Sequence, residues 1–292
     1  MNLVRRLRNP VLFKELRMRM RSKRSPWAIS LYLLVLGGIA LAFIYLQTGL
    51  DSYFNPNRSR EIFMMLSLFQ LAMVAFVTPG LTAGVISGER ERQTLNILQT
   101  TNLSATKLIL GKWLASLSFM IFLVLASIPL YSIVFLFGGI SPVQLLQVFS
   151  FYLVTMLSCG AAGVFFSTVF KRTGVSTVVT YAVIFGYTAG SGIFATLATS
   201  FFMRGLYQSG GGIPNPGVPF WSHFLHSVNP LFAMLDIFDQ GPLRSMYGVS
   251  GQHAPQIDSY WLFSLFFGSL TVILLLWSIY LVRPVKPRLF RK

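Results

Sequence analysis

Between residues 87 and 112 the chain reads Ser87, Gly88, Glu89, Arg90, Glu91, Arg92, Gln93, Thr94 and Leu95, then Leu98 and Ser104 before Gly111 and Lys112. This is the one dense run of mixed charge between long apolar segments. Its chemistry is recognition, since guanidinium and carboxylate groups side by side make ion pairs and charge-assisted hydrogen bonds. On a single helix over 88–101, Glu91, Leu95 and Leu98 fall at i, i+4 and i+7 and share a face, with Arg90, Thr94, Ile97 and Thr101 around the other side. Such a helix between two membrane spans either lies on lipid or docks into a groove of a partner. Topology and anionic lipid gain nothing from Glu89 and Glu91, so the interleaved signs favour a protein partner that reads both.

Other residue types that carry chemistry are sparse. His223 and His226 stand at i, i+3, a spacing open to a metal, but no third ligand is indicated nearby; they are read as interfacial polar residues, and no metal site is expected. Cys159 is the single cysteine and sits in an apolar run, which excludes a disulfide framework or a cysteine metal cluster. The phosphate-loop pattern G-x-x-x-x-G-K-[ST] is absent, as are H-E-x-x-H, an intramembrane Asp dyad and a Ser/His arrangement. The chain is therefore expected to hold no catalytic residue and no cofactor of its own.

The elements that must position the charged run are membrane spans. The 292-residue chain is 54% hydrophobic and 11% charged, with mean hydropathy +0.64, which predicts an all-α integral membrane protein. Six spans are read at 26–46, 62–87, 113–137, 144–170, 174–202 and 260–282, none holding Asp, Glu, Lys, Arg or His. Nine Lys/Arg precede the first span, four lie in 88–112, two at Lys171 and Arg172 and five after Val282, which is twenty of the 24. That asymmetry places both termini in the cytoplasm and makes the +16 charge a topology signal, so nucleic acid is set aside as a partner.

Three regions flank or interrupt this six-span unit of 26–282. Residues 1–25 carry Asn9-Pro10 and then Leu12, Leu16 and Met20 among basic residues, which predicts a cytoplasmic amphipathic helix on the membrane surface. The outer loop 203–259 contains Asn229-Pro230 followed by an apolar run through Phe238, too short to cross and too apolar for water, which suits a re-entrant or interfacial helix. Residues 283–292 form a basic cytoplasmic tail. Within the spans Gly80, Gly84 and Gly88, and again Gly186 and Gly190, recur every four residues and mark close helix packing. Pro79 is expected to bend the second span.

With its six spans and the run Glu89-Arg90-Glu91-Arg92-Gln93-Thr94-Leu95, then Leu98 and Gly111-Lys112, the chain resembles the ABC-2 type permeases. These are membrane subunits of bacterial ATP-binding-cassette transporters, mostly exporters. Glu91, Thr94, Leu95, Leu98, Gly111 and Lys112 match the family pattern, while Gln93 stands where a glycine is usual, Asn96 where a glutamate is frequent and Asn102 where a proline is. The resemblance implies a coupling helix within the loop 88–107, with Glu89, Arg90, Glu91, Arg92, Gln93, Thr94, Leu95 and Leu98 facing a cytoplasmic ATPase. It further implies two ATPase copies that bind ATP and Mg, a second permease subunit, identical or related, and a place in the bacterial cytoplasmic membrane. An ion-coupled or facilitative carrier and a non-transporting scaffold or assembly protein stay open beside this reading. The sequence names no substrate.

Overall fold

The computed structural model describes residues 24–48, 56–95, 104–136, 139–208, 218–247 and 257–283. The amphipathic helix expected at 1–25 lies outside them, apart from its last two residues, as do nearly all of the basic tail and residues 96–103. Among the described residues the chain is α-helical with no strand. Six helical segments are long and apolar enough to cross a membrane: Pro26–Leu46, Ser59–Glu91, Ala105–Leu136, Pro142–Val169, Thr173–Gly205 and Ser259–Val282.

Helices α1 (Arg24–Thr48), α6 (Pro142–Val169), α7 (Thr173–Gln208) and α11 (Ser259–Val282) each make one span. The second span is α2 (Pro56–Thr82) plus the short α3 (Ser87–Glu91); the third is α4 (Ala105–Ala126) plus α5 (Ile128–Leu136). Both interruptions follow from proline. Pro129 brings no N–H to the ladder and the helix yields at Ser127, whose hydroxyl donates to Val124 O at 2.7 Å and accepts from Gln70 Nε2 at 2.9 Å. Pro79 acts a turn later. After Thr82 the backbone passes through four turn residues before α3 resumes, with Val85 N bonded to Thr82 O rather than to a carbonyl four residues back.

The second and fourth spans are the most enclosed, and the first and fifth expose the most apolar surface. Phe151 of α6 stacks on Phe263 of α11 at 4.1 Å, and Phe263 in turn meets Phe267 at 4.5 Å. A close helix approach is at Gly163, where an added Cβ would lie 2.9 Å from Thr82 Cβ and 3.2 Å from Ala83 N. At Gly84 a Cβ would meet Thr173 Cγ2 at 2.9 Å, and at Gly80 the Tyr181 hydroxyl at 2.9 Å. Gly186 and Gly190 face open space within this chain, with nothing inside 4 Å of a Cβ.

At the other end of the bundle the expected re-entrant element is a hairpin, α8 (Phe220–Ser227) and α9 (Pro230–Ile237), followed by the short α10 (Pro242–Tyr247). Asn229 caps α9 with its Oδ1, accepting from Leu231 N at 2.9 Å and Phe232 N at 3.2 Å, and Pro230 opens the helix. The amide of Asn229 also donates to Thr188 O at 2.7 Å and Ser191 Oγ at 2.9 Å, while Ser222 pairs with Thr199 at 3.0 Å. From Thr199 to Thr188 is roughly 16 Å of helix, so the hairpin runs down the side of the fifth span and its tip is buried at depth.

Candidate functional site

The charged run gathers where the second, third, fourth and fifth spans meet at one end of the bundle, and its residues divide into a buried root and an exposed head. Lys112 is 4% exposed, and its ammonium donates to Glu89 Oε1 at 2.8 Å. The Thr94 hydroxyl lies against the other Glu89 oxygen and 3.1 Å from the Glu89 carbonyl. Leu95 is 6% exposed and belongs to the apolar core that also holds Ile86, Leu108 and Ile109. Two expectations change here. The third span does not begin at 113, because Ser104 caps a helix that starts at Ala105 and carries Gly111 and Lys112 inside it. Leu95 does not present an outward apolar face; its own chain covers it.

A single helix over 88–101 is also overturned. Helix α3 stops at Glu91, and Arg92 and Gln93 turn the chain before helical geometry returns at Thr94 and Leu95. Gln93 has φ 58°, in the left-handed region, which costs an L-residue other than glycine roughly 1–2 kcal/mol. It is the position at which the family pattern carries glycine, and the turn explains why. The turn leaves Glu91, Arg92 and Gln93 exposed at the head of the run. Leu98 lies outside the described residues.

The interleaved signs have partners inside the chain. Arg90 donates to Thr168 O at 3.2 Å and to Phe170 O at 3.4 Å, the carbonyls that end α6. Glu91 accepts from Thr173 N at 2.8 Å and Thr173 Oγ1 at 2.7 Å, the first residue of α7. A cation thus sits at a helix C-terminus and a carboxylate at a helix N-terminus, each on the favourable end of a dipole. Gly88 lies at ordinary contact distance, a Cβ there meeting Thr173 Oγ1 at 3.8 Å.

Ser167 and Ser176 belong to this junction as well, although neither carries a signature in its own stretch of sequence. Ser167 Oγ accepts the N–H groups of Ile86 and Ser87, at 2.8 and 2.9 Å, where the second span is irregular. Ser176 Oγ donates to Ala83 O at 2.7 Å. Both hydroxyls take the place of bonds that the helix loses beyond Pro79, and irregular backbone at membrane depth is tolerated only where protein covers it. The signal was Pro79 itself, since a broken span needs polar partners from its neighbours.

His223 and His226, read as interfacial, are instead 2% and 1% exposed inside the hairpin. The Ser259 hydroxyl donates to the Asp236 carboxylate, so its oxygen accepts from Ser227 Oγ at 3.0 Å and from His223 Nε2 at 3.1 Å. His226 Nδ1 lies 2.9 Å from Ser222 O and must carry the proton, because a carbonyl only accepts; its Nε2 is buried with no hydrogen-bond partner. Burial holds both imidazoles below the usual histidine value, for His223 against the opposing pull of Asp236 and Asp258.

The fold and this junction agree with the comparison to known families. A model of the ABC-2 family transporter proteins matches residues 10–282. No curated protein matches the chain. The match covers all six spans, the charged run and the hairpin, and the chain accordingly belongs to the ABC-2 transporter family as a multi-pass membrane permease of an ABC transporter, a transport component and not a catalytic one.

Proposed function

We propose that this permease is the membrane half of an exporter and that the charged run receives the force of a separate ATPase subunit. ATP and Mg would bind on that subunit, in two copies, with two permeases, identical or related, forming the path. The 20-to-4 division of Lys/Arg supports a cytoplasmic charged end and cytoplasmic termini, in a bacterial inner membrane. The observation that carries the reading is the division into head and root. Arg92 and Gln93 are exposed, while Glu89, Thr94 and Leu95 directly around them are fixed by Lys112 and the core. A surface element fixed at its root can transmit a push into the spans, whereas a solvated loop dissipates it.

The test is purification of the tagged chain from native membranes in mild detergent. The reading expects a P-loop protein to remain bound at a fixed ratio and to hydrolyse ATP. Recovery of the permease alone, with transport driven by an ion gradient in vesicles lacking ATP, would replace this reading by a carrier.

A further inference from the structure

We infer that Arg90 and Glu91 form a clasp that fastens the charged run to the fourth and fifth spans, so that these two spans move with the second when the run is displaced. The inference rests on the coupling reading proposed above and changes the role of two of its residues from partner contacts to positioning residues.

The geometry is reciprocal. Arg90 takes carbonyls of the last turn of α6, and Glu91 takes the first N–H and the first hydroxyl of α7. These groups have no intrahelical partner, because the last four carbonyls and first four N–H groups of a helix are left open. Glu91 therefore does from another element what an N-cap side chain does from within one, and α7 has no acidic residue of its own in its first turn. Adjacent residues of one short helix hold the end of one span and the start of the next. The short link between those spans, Phe170 to Arg172, gives them little freedom to part once both are held.

The attachment is doubled one turn back in the second span. Ser167 of α6 receives two backbone N–H groups, and Ser176 of α7 reaches Ala83 O. The irregular stretch at 83–86 is thus no free hinge. Its unpaired backbone groups are bonded to the same two spans that Arg90 and Glu91 hold. A hinge between the charged run and the rest of the second span would have to lie before Ala83, on the Pro79 side of these contacts.

Two measurements separate this inference from the reading beneath it. The first uses the full-length permease alone in nanodiscs and reads amide exchange at 173–176. Glu91→Ala should speed exchange there about tenfold, the equivalent of losing a helix cap. Glu91→Gln, which keeps one acceptor oxygen, should fall between, and Thr173→Ala should add little to Glu91→Ala. Unchanged exchange in Glu91→Ala overturns the clasp whatever the ATPase does.

The second measurement uses the complex with its co-purified ATPase, with Cys159→Ala and spin labels at Val178 on the fifth span and Leu41 on the first, both well exposed. ATP should change the label separation in the otherwise unmutated chain. With Glu91→Ala most of that change should vanish while the ATPase stays bound at the original ratio. Loss of the ATPase from Glu91→Ala would make Glu91 a partner contact, overturning the clasp and leaving the coupling reading standing. No ATP-dependent change in the unmutated complex would sink the coupling reading, and the exchange measurement would still decide whether Glu91 caps α7.

Discussion

The two ends of the bundle solve the same problem with different chemistry. At the charged end Ser167 and Ser176 bond the break in the second span, and ionic side chains hold the groups around it: Arg90 and Glu91 on helix ends, Glu89 on Lys112. At the hairpin end neutral groups do most of the work, with Asn229, Ser222, Ser227 and Ser259 bonding around His223 and His226. One device recurs. Arg60, near the start of the second span, donates to Phe238 O at 2.8 Å at the C-terminus of α9 and pairs with Asp239 at 2.7 Å, just as Arg90 at its far end covers the C-terminus of α6. The second span is therefore bonded to a neighbouring helix end at both of its own ends. The ionic end faces exposed residues that a partner can reach, whereas the hairpin end is closed on itself.

The comparison breaks first at Glu89. If the charged end depends on this ion pair, Glu89→Leu should cost about 1.5–3 kcal/mol, because the buried Lys112 ammonium loses a charge-assisted hydrogen bond. Thermal unfolding of the purified permease reads this directly. Adding Lys112→Met should recover part of the loss, since the charge that Glu89 balances is removed with it. A Glu89→Leu protein as stable as the parent would mean that the pair is only a surface contact.

A smaller effect sharpens the other side. Both hairpin imidazoles have folded values below the ordinary 6.5, so the unfolded chain binds protons more readily as the pH falls below that value. The stability they supply is complete above 6.5 and is lost as the pH drops through their lowered folded values. Protease cleavage within 218–247 should accelerate on acidification, and His223→Gln with His226→Gln should flatten that dependence. The charged groups facing the pair are Asp236 and Asp258, and a profile unchanged in the double variant would mean that the imidazoles do not set the pH response.

Much of this was legible in residue order. Six apolar runs gave six spans, and Asn229-Pro230 marked a helix start that the structure places there. The hairpin was legible because a cap and an apolar run are local signals. The turn at Gln93 was not, since periodicity alone continued the helix through a position that backbone geometry bends. Leu95 was misplaced for a related reason: an amphipathic pattern shows that a face is apolar, but not whether another molecule or the same chain covers it. Arg90 and Glu91 looked like partner residues because the helix ends they hold are distant in sequence and present no side-chain signature.

The most direct test of coupling bears on the residues left at the exposed head and beyond it. Arg92→Glu combined with Leu98→Asp leaves Glu89, Lys112 and the clasp intact, so the permease should reach the membrane with unchanged yield. Reversing one charge and adding a carboxylate to a docked surface, where it must be desolvated unpaired, should cost several kcal/mol of the contact. The measurement is the amount of ATPase subunit retained per permease in a pull-down from nanodiscs. The account predicts a loss of at least about tenfold, the equivalent of 1.4 kcal/mol. Retention of the ATPase at the parental ratio, with ATP hydrolysis still coupled to transport, would contradict it.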